Sequence, residues 1–139
     1  MNPSFHLSVK AVLRDTADRV LLLRRGARSK ANAGKWDFPG GKVAAGEAFD
    51  IALRREVLEE TGLEITLAGV AGVAETRIGA VHRIFLILEA KPSEGAVRLS
   101  EEHDAYAWVA RADLPNQDLV RHFRVFAREY AALKTAAPE

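Results

Sequence analysis

The chain has 139 residues, of which 48 % are hydrophobic and 28 % are charged, so it is long enough for one compact domain with a sizeable core. Its 20 basic and 19 acidic residues leave a net charge of +1, which excludes the strongly basic surface expected of a protein that binds large nucleic acids. There is no cysteine, which excludes disulfides and thiol catalysis and restricts metal ligands to oxygen and imidazole nitrogen.

The sequence carries no sign of a membrane or export segment. No apolar run approaches the length of a transmembrane helix, and residues 1–4 lack the basic and apolar regions of a signal peptide. We therefore expect a cytoplasmic protein whose partner is a small anionic molecule rather than a membrane or a large nucleic acid. The composition leaves the oligomeric state open between a monomer and a homodimer.

Short apolar runs with β-prone residues dominate the first part of the chain, which is typical of strands. Residues 5–14 and 19–25 flank a polar turn and are predicted to form a hairpin. In the first run Val9, Ala11 and Leu13 share one face. A basic loop follows, and then a short extended segment that stops at a glycine turn.

A central helix is predicted from about residue 48 to residue 60, because Gly62 is well placed to cap its C-terminus. Further strands are predicted at residues 64–74, 82–90 and 105–110. A second helix is predicted over residues 119–133, after a possible cap at Asp118, and the tail from residue 134 is expected to fray. Helical spacing in this second helix is shown by Val120, Phe123, Phe126 and Tyr130. Strands around one central helix, ending in another, indicate an α+β or α/β sandwich with a mixed sheet.

Residues 41–63 carry the strongest functional signal, because fixed residue types recur there at fixed offsets. The fixed positions are Gly41, Glu47, Arg55, Glu56, Glu59, Glu60 and Gly62, with apolar Val57 and Leu63 between and after them. At a usage of about 7 % per residue type, a chance match in such a chain is on the order of one in ten million.

Three glutamates of this segment converge when it is placed on a helix. With about 100° between successive residues, Glu56, Glu59 and Glu60 fall within one stripe. Their like charges repel unless a cation neutralises them. The stripe lies between an apolar flank that contains Leu53 and another that contains Leu58, so we expect it to line a cleft beside the core. Mg²⁺ prefers such carboxylate oxygens and commonly bridges them to substrate phosphates.

Neighbouring residues extend this metal–diphosphate interpretation. The planar guanidinium of Arg55 is suited to holding a glutamate in place. The turn Pro39-Gly40-Gly41 allows the backbone to approach a ligand closely. Glu47 either reaches back to the metal site or is simply an acid favoured at the start of a helix, and these alternatives stay open.

The pattern resembles the Nudix box, with every defined position filled, and weaker likeness to Nudix hydrolases extends over most of the chain. The resemblance implies a single domain over residues 1–139 with an α+β fold, namely a Nudix-type α/β/α sandwich around a mixed β-sheet. It also implies that Mg²⁺, with Mn²⁺ as a possible substitute, supports hydrolysis of a nucleoside diphosphate linked to another group.

Matching positions give the roles that the resemblance implies. The metal ligands are Glu56, Glu59, Glu60 and the backbone carbonyl of Gly41. The catalytic set is Glu56, Glu59 and Arg55, in which Glu56 is also a candidate for positioning or deprotonating water. Glu47 is a supporting residue.

Within the family the chain most resembles MutT-like nucleoside triphosphate pyrophosphohydrolases. Residues 36–43 match the segment that precedes the box in that group. Glu101 or Glu102, with Glu102 preferred, lies near the position at which that group has an additional metal-binding glutamate. The candidate substrate-binding residues are Arg25, Phe38, Gly40 and Asn116. The simpler alternatives are that Arg25 is a solvated charge, that Phe38 packs in the core and that Asn116 is a turn residue. His82 and His103 have no ligand partner at diagnostic spacing and are taken as surface or strand residues.

The expected reaction converts a (d)NTP or an oxidised (d)NTP to the monophosphate and pyrophosphate. The competing class is a non-catalytic Nudix-type module that senses a nucleotide or a sugar nucleotide. A plain divalent-cation-binding domain is a third possibility, but it gives no reason for the glycine turn or for Arg55. The intact set of box glutamates favours the enzyme.

Overall fold

The structure, a computed structural model, describes residues 4–133, and over this range it contains two β-sheets and two α-helices. The strands are β1 (Ser4–Leu13), β2 (Arg19–Arg25), β3 (Trp36–Asp37), β4 (Gly40–Lys42), β5 (Ile65–Ile78), β6 (Val81–Pro92) and β7 (His103–Ala110). The helices are α1 (Phe49–Thr61) and α2 (Arg124–Ala132), with 3₁₀ helices at Arg111–Asn116 and Arg121–Phe123. No helix within residues 4–133 is long and apolar enough to cross a membrane. The predicted fraying from residue 134 lies outside the described residues.

The strands form one mixed and one antiparallel sheet. The four-stranded sheet has the order β4-β1-β6-β5, in which β1 runs parallel to β6 and the other pairs are antiparallel. The three-stranded sheet has the order β3-β2-β7 and is antiparallel. The expected mixed α+β fold is therefore confirmed, with the refinement that its strands are divided between two sheets.

The two helices cover opposite faces of β1 and β2, so both strands are buried on both sides. On β1, Val9 and Leu13 pack in one hydrophobic cluster with Leu53 of α1, whereas Val12 packs in another with Phe126 of α2. On β2, the residues alternate in the same way between the two clusters. This alternation follows from the two-residue period of a strand and gives the layers of an α/β/α sandwich.

The predicted hairpin of residues 5–14 and 19–25 is reduced to a single antiparallel bridge between Arg14 and Val20, and its extended strand pairing is wrong. Within residues 4–133, β1 pairs with β4 and β6, and β2 pairs with β3 and β7, so the two runs belong to different sheets. The turn itself is present, since the Asp15 carboxylate accepts hydrogen bonds from the backbone N–H groups of Ala17 and Arg19. Turn residues specify where the chain reverses, but the burial of both strand faces decides which strands become neighbours.

The central helix is close to its predicted limits and ends as predicted. Gly62 adopts φ 74° and donates its N–H to the carbonyl of Leu58, which is the left-handed C-cap that glycine favours. Both long strands that follow exceed the predicted lengths, since β5 continues to Ile78 and β6 covers Val81–Pro92.

The second helix begins at Arg124 rather than at residue 119, so its predicted start is wrong. The preceding segment is held by backbone hydrogen bonds to Trp36, which donates to the Asp118 carbonyl and accepts from the N–H of Val120. The Asp118 side chain accepts from Lys35 instead of capping a helix. This segment packs against the core and buries Val120 and Phe123. Their three-residue spacing matches that of a buried helix face, which is why a helix is predicted here.

Truncation of Leu53 tests the packing of α1 on the sheet. Leu53 is 0 % exposed, whereas Leu58 on the same helix is 49 % exposed. We expect Leu53→Ala to lower the free energy of unfolding by about 2–5 kcal/mol, because it leaves a cavity in the core. The matched variant Leu58→Ala should stay within about 0.5 kcal/mol of the wild type. Urea unfolding followed by circular dichroism measures both, and equal losses would contradict this packing.

Candidate active site

A cleft of about 350 Å³ opens where the glycine turn meets α1. Six of the sequence-predicted site residues meet there, namely Arg25, Gly40, Gly41, Glu56, Glu60 and Glu102. Other walls are formed by Lys10, Asp37, Arg83, Phe85 and His122, which the sequence analysis did not assign to a site. The cleft therefore joins carboxylates from the helix with cationic and aromatic side chains from the strands.

The glycine turn is pressed against both β1 and α1. A Cβ atom on Gly40 would lie 2.0 Å from the carbonyl oxygen of Val9, and Gly40 also has φ 143°. A Cβ atom on Gly41 would lie 2.6 Å from the carboxyl carbon of Glu56. Only glycine fits at position 40, where the contacts are with backbone, whereas a Cβ atom at position 41 would displace the Glu56 carboxylate, so the turn brings bare backbone to the carboxylates.

Glu60 is the buried carboxyl group of the stripe. It is 5 % exposed, and its Oε1 accepts the N–H of Gly40 at 2.7 Å. Burial raises the pKa of Glu60 to about 8, against the opposing effect of Lys10 and the Gly40 N–H. A bound divalent cation would compensate the ionised carboxylate, so the donor set of Glu60 and its acidic neighbours fits a hard metal ion.

Arg55 links three glutamates of the box. Its Nε and Nη2 donate to the two carboxylate oxygens of Glu47 at 2.9 and 3.0 Å, and its Nη1 donates to Oε1 of Glu56 at 2.9 Å. Glu59 Oε1 lies farther away, at 3.7 Å from Nη1. The hydrogen bonds from Arg55 lower the pKa of Glu47. Glu47 therefore fixes Arg55, and Arg55 fixes Glu56.

Replacement of Arg55 by lysine tests this linkage. Lysine keeps the charge but loses the planar pair of donors that Glu47 and Glu56 share. We expect Arg55→Lys to lower kcat by about 10–100-fold, as is typical when a residue that orients a metal ligand is changed. The control is Arg54→Lys, since Arg54 donates to the carbonyl of Ile65 away from the cleft. Steady-state kinetics measures both variants, and unfolding curves check that each is folded. Full activity in both would contradict the linkage.

The acidic stripe runs from the core to the solvent, because only one of its two apolar flanks is buried. Leu53 is buried on one side, but Leu58 and Ile51 on the other side are largely exposed. The Glu59 side chain is accordingly 59 % exposed. It borders a shallow depression together with Glu60, Ser100, Glu101 and Glu102. Of the two loop glutamates, only Glu102 lines the main cleft within the part of the chain that the structure describes.

Phe38 and Asn116 do not have the surroundings expected of substrate-binding residues. Phe38 is 1 % exposed and makes edge-to-face contacts with Phe123 and Phe126, each with a centroid distance of 5.6 Å. Its assignment to substrate binding is corrected to core packing, because its ring is enclosed by other rings. Asn116 ends a 3₁₀ helix at the surface and is not among the residues that line the cleft.

Lys10 and Asp37 form a buried ion pair beside the carboxylates. Lys10 Nζ donates to Asp37 Oδ2 at 3.3 Å and to the carbonyl of Phe38 at 3.1 Å, and Arg25 Nη1 donates to Asp37 Oδ2 at 3.1 Å. The sequence signal for this pair is a lysine inside an apolar strand, since Lys10 lies between the core residues Val9 and Ala11. Asp37 therefore holds two cationic side chains, those of Lys10 and Arg25, on the wall of the cleft.

The cleft is also lined by a pair of stacked rings. The His122 ring stacks on Phe85 with a centroid distance of 4.6 Å and an interplanar angle of 15°. Burial lowers the pKa of His122 to about 4, so its imidazole is neutral at neutral pH. Arg83 lines the cleft beside them, and its Nε is buried without a hydrogen-bond partner among the described residues.

The family model for the NUDIX domain matches residues 4–130. Nucleoside triphosphatase NudI from Klebsiella pneumoniae subsp. pneumoniae is 32 % identical over 131 residues, which cover 86 % of this chain and 93 % of the relative. A MutT-like protein from Streptomyces ambofaciens is 32 % identical over 139 residues, which cover 99 % of this chain and 83 % of the relative.

Solved structures agree with these relatives. The MutT protein from Methanosarcina mazei Go1 has a TM-score of 0.85 and 34 % identity, covering 94 % of this chain and 95 % of its own. The MutT NUDIX hydrolase from Burkholderia pseudomallei has a TM-score of 0.78 and 30 % identity, covering 90 % of this chain and 97 % of its own.

The chain belongs to the Nudix hydrolase family. It is a nucleotide pyrophosphohydrolase of the MutT-like type, in a family whose members use a divalent metal ion.

Proposed function

We propose that this enzyme hydrolyses a nucleoside triphosphate, either a (d)NTP or an oxidised (d)NTP, to the monophosphate and pyrophosphate. We further propose Mg²⁺ as the resident ion, with Mn²⁺ as a substitute. The main support is a single cleft lined by both carboxylates and cationic side chains. The carboxylates are those of Glu56, Glu60 and Glu102, and the cations are Arg25 and Lys10. The printed name of the Klebsiella relative, a nucleoside triphosphatase, supports the same substrate class.

The residues proposed to hold the metal are the glutamates of the stripe with one loop glutamate and one backbone group. They are Glu56, Glu59, Glu60, Glu102 and the carbonyl of Gly41. When bound, the ion supplies charge neutralisation for the phosphates and lowers the pKa of a water. Glu60 supports this assignment, since its buried carboxyl group accepts a hydrogen bond from Gly40 but has no lysine or arginine at ion-pair distance in the described range.

Glu56 is proposed to take the proton of the attacking water. Arg55 occupies its Oε1 at 2.9 Å, which leaves Oε2 as the accepting atom. The water oxygen forms a bond to one of the two phosphorus atoms of the α–β anhydride while the bond from that phosphorus to the bridging oxygen breaks, and the bridging oxygen leaves with the other product. Gly41 contributes by letting the backbone approach, since any side chain there would displace the Glu56 carboxylate.

The strand side of the cleft is proposed to hold the rest of the nucleotide. Arg25 lines the cleft, and its guanidinium is proposed to contact phosphate oxygens, for which arginine is well suited. The neutral His122 on Phe85 offers a flat surface against which a base or sugar can pack. Asn116 stays a proposed contact only for a substrate that extends beyond the described cleft.

A nucleotide panel with product identification tests this function. The panel contains dNTPs, oxidised dGTP, CTP, ADP-ribose and a dinucleotide, each with Mg²⁺. We expect monophosphate and pyrophosphate from one or more triphosphates at a kcat/KM above that for ADP-ribose and the dinucleotide. A higher kcat/KM for ADP-ribose or the dinucleotide would contradict the substrate class. Nucleotide binding without any product would instead support the sensing module.

A further inference from the structure

A histidine nitrogen lies beside the proposed metal-binding carboxylates. One potential ligand atom from each of Glu60, Glu102 and His103 lies within 4.8 Å of the other two. Glu60 comes from α1, Glu102 from the loop before β7, and His103 from the first residue of β7. Strand pairing between His103 and Arg25 fixes the position of the histidine beside the helix.

The His103 ring is buried with its Nδ1 unpaired. The side chain is 4 % exposed, and Nδ1 has no hydrogen-bond partner among the described residues. Buried polar atoms in folded proteins are nearly always paired, so an unpaired nitrogen that faces a carboxylate indicates that a binding partner belongs between them. This observation is independent of the acidic cluster, because it concerns the imidazole and not the two carboxylates.

The distance between His103 and Glu60 fits two ligands of one ion better than it fits a hydrogen bond. His103 Nδ1 lies 3.9 Å from Glu60 Oε2. A hydrogen bond from an N–H group to oxygen spans about 2.7–3.2 Å. Two atoms that each lie about 2.0–2.2 Å from the same ion are separated by about 3–4.3 Å, depending on the angle between them.

We propose that His103 is a nitrogen ligand for a divalent ion that it shares with Glu60 and Glu102. This deepens the proposed function, on which it rests for the metal role of the two glutamates. An imidazole nitrogen suits Co²⁺, Ni²⁺ and Zn²⁺, whereas Mg²⁺ prefers a shell made of oxygen atoms. The site therefore binds these transition-metal ions more tightly than an all-carboxylate site of the same charge, and the Mg²⁺ affinity depends little on the histidine.

Metal binding by the metal-free full chain, in the absence of nucleotide, tests the proposal. Isothermal titration with Co²⁺ and with Mg²⁺ compares the wild type, His103→Gln and the matched control His82→Gln, whose histidine binds Glu75 at the surface. We expect His103→Gln to weaken Co²⁺ binding by about 10-fold or more and Mg²⁺ binding by less than about 3-fold. The control should match the wild type for both ions.

A direct spectroscopic readout keeps the proposal testable if His103→Gln does not fold. Pulsed electron paramagnetic resonance of Mn²⁺ bound to wild-type protein should show coupling to an imidazole nitrogen. The coupling should change when histidine is labelled with ¹⁵N, and it should persist in His82→Gln and His122→Gln. Absence of nitrogen coupling in the wild type would overturn the proposal.

Equal weakening of Co²⁺ and Mg²⁺ in His103→Gln would also overturn it, because that result assigns His103 to positioning Glu60 through a hydrogen bond. None of these readouts involves nucleotide hydrolysis. Failure of the proposed substrate class would therefore leave the nitrogen coupling in place, whereas failure of the nitrogen ligand would leave pyrophosphate release in place.

Discussion

Replacing Glu60 by glutamine lowers kcat by about 1,000-fold or more. It also removes one contribution to the pH dependence of the free energy of unfolding of the metal-free protein. The loss of activity is expected because a neutral amide replaces the proposed charged ligand of an ion whose electrostatic contribution is worth several kcal/mol. Glutamine preserves the shape of the side chain and can still accept the N–H of Gly40 through its carbonyl oxygen. The fold should therefore survive while turnover is lost.

The stability effect of Glu60→Gln follows from the direction of the Glu60 pKa shift. Burial raises its pKa from an ordinary value of 4.5 to about 8, so the native state holds a proton that the unfolded state releases within this window. The contribution of the protonated group is therefore fully present below the unfolded pKa and is lost as the pH rises through the folded pKa. Because glutamine does not ionise, the variant should lack this decline and become relatively more stable as the pH approaches 8.

Urea unfolding with a chelator across the range from about pH 5 to pH 8 measures the stability effect. Steady-state kinetics with Mg²⁺ measures the effect on turnover. Glu64→Gln is the control, since Glu64 is exposed and follows α1 outside the cleft. A Glu60→Gln enzyme with near-wild-type kcat, or stability curves that run parallel in the variant and the wild type, would contradict the assigned role of Glu60.

Replacing Gly40 by alanine destabilises the protein by more than about 4 kcal/mol, which is a large effect for a single methyl group. The added Cβ would lie 2.0 Å from the carbonyl oxygen of Val9 and 2.8 Å from the Cα atom of Lys10, and both are backbone atoms that cannot move aside singly. The residue also has φ 143°, which alanine rarely adopts. Relief requires separation of β4 from β1, which would also displace the turn from the carboxylates.

Gly46→Ala is the matched control for Gly40→Ala. Gly46 also has a positive φ, of 78°, but a Cβ atom there would meet nothing within 4 Å. Its substitution therefore isolates the backbone strain, which costs about 1–2 kcal/mol. Thermal and urea unfolding compare the two variants. Similar losses in both would show that the contact with β1 is not what makes Gly40 necessary.

The parts of the fold that could be predicted from sequence depend on local signals. The central helix was predictable because its C-cap, its acidic stripe and its apolar positions lie within one short segment, and Gly62 caps it as expected. The separation of β1 from β2 was not predictable, because strand pairing is decided by packing on both faces of each strand. The start of α2 was missed for a related reason, since Val120 is buried by docking onto Trp36 rather than by a helix.

The candidate site divides in the same way. The spacing within the box brought Glu56 and Glu60 to one helix, and the structure places both in the cleft. Lys10 and His103 come from strands far from the box in sequence, and no spacing rule connects them to it. Their proximity to the buried carboxyl group of Glu60 became visible only in the folded structure.

The most direct measurement is ³¹P NMR of a hydrolysable nucleoside triphosphate incubated with the enzyme in ¹⁸O-labelled water, with Mg²⁺ and with a chelator. We expect a nucleoside monophosphate and pyrophosphate, with one ¹⁸O atom incorporated into one of the two products. The chelator and Glu60→Gln should each prevent this conversion. A nucleoside diphosphate with inorganic phosphate as the products, or undiminished cleavage in the chelator, would contradict metal-dependent pyrophosphate release by the carboxylates of α1.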